Sequence, residues 1–310
     1  MIIYLSAIES SMDHALAVTR AHAQHLLTSF YYCSWKTGLG QRRPLWERAL
    51  RQASMRLADS GAHTFRAAGW GQRDGAGADA ALNTDVDVFL DAYIQWVKQT
   101  SRAGLIDYWV ELDIGLVTSS AWVAQQRQKM LAAGLGKGLI QVWHSDEHKW
   151  EDWIALLEEA KRPGRSNYVA IEGHNNPVRA PHHYEKFLKA AYDRGVRVHT
   201  FKVTGHEDLK RWPFYSVDST SWIAPTMYGC DVQVVRTGGV THSRAKSQMP
   251  GQRKAYMAST TGVTSSMKTR VDVLVRSAEA WVASEKHLGD MWKTRGVDWD
   301  RAILHPKVIV

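Results

Sequence analysis

Short runs of β-branched and aromatic residues alternate along the chain with stretches whose apolar positions recur every three or four residues. The runs are Ile2–Ser6, His25–Tyr32, Met55–Asp59, Ile106–Asp113, Leu139–Trp143, Tyr168–Glu172, Val196–Val203 and Phe214–Asp218. Each predicts a strand. Between them, Leu90, Ile94 and Val97 share one face of a helix predicted over Asp85–Thr100. In His148–Lys161, Trp150, Trp153, Ile154 and Leu157 form the apolar stripe, and Glu151, Asp152, Glu158 and Glu159 turn mostly to water. Pro181–Arg194 carries Tyr184, Phe187, Leu188 and Ala191 and stops at Gly195. A last helix is predicted near Ser266–His287, while the link between the first two strands carries the weakest pattern. Eight strands alternating with helices, at about 25–30 residues per unit, predict an α/β chain folded as a (β/α)8 barrel. Residues 1–310 then form a single domain. A doubly wound open sheet is the alternative.

Composition narrows the class. With 45% hydrophobic and 23% charged residues, the chain is an ordinary globular one and not a disordered one. No apolar run approaches the roughly 18–20 residues of a membrane span. The start, MIIYLSAIESSMD, lacks a basic n-region, so no secretory leader is expected. Cys33 and Cys230 are the only cysteines, which excludes a disulfide framework and a zinc site built on clustered thiolates.

The net charge of +8 points to a polyanionic partner, and it is localised. Arg236, Arg244, Lys246, Arg253, Lys254, Lys268 and Arg270 follow one another without an acid among them. The same stretch is rich in Gly, Ser and Thr, so it reads as an irregular basic loop over residues 223–265, between strand eight and the final helix. A one-signed loop fits either a solvated surface segment or a nucleic-acid contact.

Four of the predicted strands end in acids: Asp59 in MRLADSG, Asp113 in IDYWVELD, Glu172 in YVAIEG and Asp218 in FYSVDST. An acid just past a strand often caps the next turn. In a parallel barrel, however, all strands deliver their C-terminal ends to one mouth, where catalytic groups sit. Two carboxylates across a small pocket are apparatus for breaking a glycosidic bond, one as nucleophile and one as proton donor and acceptor.

At these acids the chain resembles a known family. ADSGAHTF at 58–65, YVAIEGHN at 168–175 and VHTFKVTGHEDLKRWPFYSVDSTSW at 198–222 resemble, in order, segments of the tRNA-guanine transglycosylase superfamily. The likeness covers roughly residues 50–225 and is similar above all to the bacterial and phage branch that acts on DNA, exchanging guanine for a 7-deazaguanine of the preQ0 kind. The resemblance implies that Asp218 is the nucleophile at C1′ and Asp59 the general acid and base. It further implies base contacts by Ser60, Asp113, His144, Glu172 and Gly173. Arg236, Arg244, Lys246, Arg253 and Lys254 would hold the phosphate backbone, which would make binding steeply salt-dependent. A barrel mouth cannot reach a sugar inside a duplex, so the nucleotide must be flipped out or unpaired.

The chain departs from the family at three points. Glu172 precedes Gly173 where two glycines are typical, His63 replaces an aromatic, and the family's cysteine–histidine zinc site is absent, Cys230 and His242 being too few. No metal or other cofactor is therefore expected. Among fourteen histidines, His144, His174, His182, His183, His199 and His206 keep a metal-dependent hydrolase as a rival, although none stands in an H-x-H or H-E-x-x-H arrangement. His144 and His199 lie on strands and are the pocket candidates. Trp96, Trp150, Trp153 and Trp281 read as core, whereas Trp143 and Trp222 could either pack or stack on an extruded base.

The expected activity is therefore exchange of a guanine in DNA for a free 7-deazaguanine base, in the cytoplasm of a bacterium or of a phage-infected host. Exchange in tRNA, base removal by hydrolysis, and non-catalytic nucleic-acid binding are the alternatives.

Overall fold

Eight β-strands pair in parallel and in chain order, β1 to β8, and the last closes on the first. In this computed structural model the described residues are 1–36, 38–61, 78–113, 120–144, 149–171, 183–201, 203–228, 231–234, 240–243 and 270–305. The strands are β1 (Ile2–Leu5), β2 (His25–Ser29), β3 (Met55–Asp59), β4 (Tyr108–Val110), β5 (Leu139–Trp143), β6 (Tyr168–Ile171), β7 (Arg197–Thr200) and β8 (Ser216–Ser219). Closure comes from β1 and β8 in a register that sets Tyr4 beside Asp218 and Leu5 beside Ser219. The chain thus folds as the expected (β/α)8 barrel.

The helices between strands are α1 (Met12–Arg20), α2 (Arg43–Gln52), α3 (Ala78–Arg102), α4 (Ser120–Ala132), α5 (Trp150–Ala160), α6 (His183–Arg194) and α7 (His206–Arg211). The pattern missed α1, a short helix whose first turn is capped by Ser11 accepting from His14 N at 3.1 Å. Helix α5 starts where Lys149 N donates to the Asp152 carboxylate at 2.7 Å, and buries Trp153, Leu156 and Leu157. Gly195 ends α6 with φ +67, and a Cβ there would stand 2.6 Å from Ala302 O. Only glycine fits both demands.

After β8 come α8 (Ala224–Tyr228), an antiparallel hairpin of β9 (Asp231–Val234) and β10 (Val240–Ser243), then α9 (Arg270–Thr294) and α10 (Trp299–Leu304). The expectation of an irregular loop over 223–265 is corrected for its described part, up to Ser243; residues 244–265 lie outside the described residues. Val240–Ser243 pairs antiparallel with Asp231–Val234, and Val240 is buried in the core. Arg236, Arg244, Lys246, Arg253 and Lys254 lie outside the described residues. Helix α9 packs on α1 and β1, and its Glu285 accepts from Ile3 N at 2.8 Å.

Several polar side chains enter the barrel interior. At its floor the Arg197 guanidinium lies over the rings of Tyr108, Tyr168 and Tyr215 at 5.0, 5.1 and 5.6 Å, and donates to Tyr108 Oη at 2.8 Å. One ion pair sits between β4 and its helix. Glu111, 1% exposed, accepts from Arg127 Nε at 2.6 Å, from Arg127 Nη2 at 2.8 Å and from Val142 N at 2.6 Å. No described helix is long and apolar enough to cross a membrane.

Candidate active site

Asp59 is the last residue of β3, paired in register with Ser29 of β2. Its carboxylate accepts from Gly61 N at 3.1 Å. Gly61 has φ +84, and a Cβ there would collide with Tyr31 Cβ at 2.4 Å, so glycine is what lets the chain turn back under the acid. Burial pushes the Asp59 carboxyl up to about 7, the negative charge of Asp218 adds to this, and the Gly61 N–H partly opposes it. Ser60 is fully buried, its backbone N–H turned toward Asp59.

Asp218 lies within β8, one residue before its end. Ser6 Oγ donates to its Oδ2 at 3.4 Å, and His199 Nε2 stands 3.6 Å from its Oδ1. Asp113 sits three residues beyond β4, and its Oδ1 meets His144 Nε2 at 2.5 Å just past the end of β5. Asp113 also contributes to the raised Asp59 carboxyl. Asp59 therefore feels the charges of both other expected aspartates at the C-terminal mouth. Glu172 and Gly173 lie outside the described residues, as do His63, His174, His182 and Cys230.

Two expectations about aromatic rings resolve toward packing. Trp222 is 0% exposed, donates its indole N–H to Ser6 O at 2.8 Å and meets the His14 ring edge-on. Trp143 is buried against Phe187 and Trp153. Neither ring is available to stack on a base. Among the described residues no three His, Cys, Asp or Glu side chains converge in a way that could hold a metal ion.

The sequence reading missed a fifth acid. Glu9 follows β1 by four residues and is 2% exposed. Thr28 Oγ1 donates to its Oε2 at 3.1 Å, Trp46 Nε1 donates to the same Thr28 oxygen at 2.9 Å, and the Cys33 thiol lies 3.1 Å from it. Arg42 fixes the backbone by donating to Glu9 O at 2.7 Å. Burial raises the Glu9 carboxyl from 4.5 to about 7, against the pull of its hydrogen bonds, and the charge of Asp59 adds to the rise. The rule that found the other acids, a carboxylate just past a strand, would have found this one in IIYLSAIES.

Glu9 binds its proton more tightly folded than unfolded, so its ionisation opposes folding. That destabilisation is absent below about pH 4.5, grows as the pH rises and is complete above about 7. Glu9→Gln should then leave stability nearly unchanged at pH 4.5 and raise it by about 3 kcal/mol at pH 8. Urea denaturation at the two pH values checks this, and an equal effect at both would refute it.

No protein-family model matches the chain, and no curated protein matches it. The site must be argued on its own chemistry. Asp59 holds a proton that it can give or take near neutrality, and it sits close enough to Asp218 to be raised by that carboxylate's charge. A carboxyl that exchanges its proton near neutrality beside a second carboxyl is suited to acid-assisted displacement.

Proposed function

We propose that the protein exchanges a guanine base in nucleic acid, DNA in the first instance, for a free 7-deazaguanine of the preQ0 kind through a covalent Asp218–sugar intermediate. A carboxylate oxygen of Asp218 bonds to C1′ as the C1′–N bond breaks. The electron pair leaves with guanine, and the Asp59 carboxyl supplies the proton. The incoming base then loses its ring N–H proton to Asp59, and its nitrogen displaces Asp218 from C1′. Atoms and charge balance, with no oxidant or metal required.

The observation that carries this reading is the Asp59 carboxyl at about 7, raised by burial and by Asp218. A lone buried acid would be raised too. An acid raised by a second carboxylate at the same barrel mouth has the pairing that glycosyl displacement needs. The motif resemblance across residues 50–225 adds the substrate class. Asp113 and His144 form one unit in this scheme, His144 orienting the carboxylate that meets the amino edge of the purine. The basic residues between 236 and 254 supply phosphate contacts.

Incubating the protein with guanine-containing DNA, or with tRNA in parallel, and a labelled 7-deazaguanine tests it. Label should enter DNA, and guanine release should fall as the pH rises through about 7, where Asp59 loses the proton it must give. Guanine release without incorporation would mean a base-removing glycosidase. Neither event on either nucleic acid would mean a binding protein.

A further inference from the structure

Beneath Asp218 the barrel holds polar side chains that the exchange scheme leaves unused. Tyr168 on β6, His199 on β7 and Ser216 on β8 are all 0% exposed. The Tyr168 hydroxyl is hydrogen-bonded to Ser216 Oγ, and Ser216 Oγ lies 2.7 Å from His199 Nδ1. Across the ring, His199 Nε2 faces Asp218 Oδ1 at 3.6 Å. Both of these atoms are buried and have no hydrogen-bond partner. The rings of Tyr4 and Phe201 flank His199 edge-on at 5.9 and 4.6 Å, so Asp218 is the acid it faces.

The orphaned Asp218 oxygen at its near end sets the direction of the chain. Burial raises the Tyr168 phenol well above its ordinary value, so it keeps its proton and is able to donate. The direction that serves the Asp218 oxygen has Tyr168 O–H donating to Ser216 Oγ and Ser216 O–H donating to His199 Nδ1. That leaves the ring proton on Nε2, aimed at Asp218. A separation of 3.6 Å is too long for a hydrogen bond. Two orphaned buried atoms of opposite polarity gain by closing it, and such contacts commonly shorten when substrate binds.

Taking Asp218 as the nucleophile of the proposed exchange, we propose that His199 is its positioning residue. The Tyr168–Ser216–His199 chain presents Nε2–H to Oδ1 and so turns Oδ2, on the Ser6 side, toward the sugar. His199 touches no substrate; it acts through Asp218.

Side-chain replacements that keep one nitrogen at a time test the geometry. Gln can place an amide N–H near the position of Nε2, and Asn near that of Nδ1. His199→Gln should keep kcat within roughly tenfold, whereas His199→Asn should lower it about a hundredfold at unchanged KM, the effect of a misaimed reacting group. Equal losses in the two variants, tracking their melting temperatures, would mean that His199 only packs. Histidine 15N spectra read the same claim without any activity. His199 should show the Nε2–H tautomer, and Asp218→Asn should shift its Nε2 resonance. An Nδ1–H tautomer, or an Nε2 signal indifferent to Asp218→Asn, would overturn the positioning role. If the spectra behave as expected while wild-type protein exchanges no base, the nucleophile reading falls and the His199–Asp218 coupling stands.

Discussion

Asp218→Asn should abolish base exchange, lowering the rate by at least ~10⁴-fold, because an amide cannot form the glycosyl ester and the two carboxyls act as one unit. Asn keeps the volume of Asp and can still accept from Ser6, so the fold should be retained. The same substitution has a second, independent consequence. The charge of Asp218 is the largest contribution after burial to the raised Asp59 carboxyl. With that charge removed, Asp59 should titrate below its wild-type value of about 7, yet stay above an ordinary aspartate because it remains buried. Carboxyl 13C shifts of labelled aspartate followed through pH would show it. Retained exchange would sink the nucleophile assignment, and an unmoved Asp59 titration would sink the claim that the two acids share one mouth.

Arg127→Met should be the most damaging single change to stability that leaves the mouth residues untouched. Glu111 is 1% exposed and bound bidentately by Arg127, so removing the guanidinium strands a carboxylate among the strands. Breaking a buried pair in this way costs about 3–5 kcal/mol, on the order of 10 °C in melting temperature. Adding Glu111→Gln should recover most of the loss, since a neutral amide can still accept from Val142 N. If the double variant melts no higher than Arg127→Met alone, the damage comes from lost packing of the arginine stem and not from the stranded charge.

The barrel was legible because each strand is a short, doubly covered run. Met55–Asp59 and Leu139–Trp143 are the strands the pattern predicted, residue for residue. The run His25–Tyr32 overshot. Beyond Ser29 the aromatic stretch winds into a π-helical turn over Tyr31–Trp35, and the ring of Trp35 packs on Phe89 of α3. Hydrophobicity alone does not separate a strand from an aromatic turn. Ile106–Asp113 shrank to Tyr108–Val110, although Asp107 N and Glu111 N on either side still donate to Arg56 O and Ile140 O of the neighbouring strands, each at 3.0 Å. At the site, strand ends located Asp59, Asp113 and Asp218. The raised carboxyl of Asp59 was not legible, because it depends on burial and on charges brought in from distant strands. Glu9 lies four residues past β1, within reach of the strand-end rule, but its enclosure by Thr28 and by the backbone that Arg42 pins is visible only in the fold.

The β1–β8 seam also governs when the site comes into being. Ser6 and Asp218 are separated by 212 positions in the chain, and their contact exists only across that seam. A chain emerging from the ribosome must hold β1 with one edge unpaired until β8 arrives, which is slow, long-range pairing of the kind that invites association with other nascent chains. Up to that moment Asp59 has no Asp218 beside it. The same event that seals the exposed edge delivers the second carboxylate, so an incompletely made chain carries neither a finished barrel nor an armed mouth.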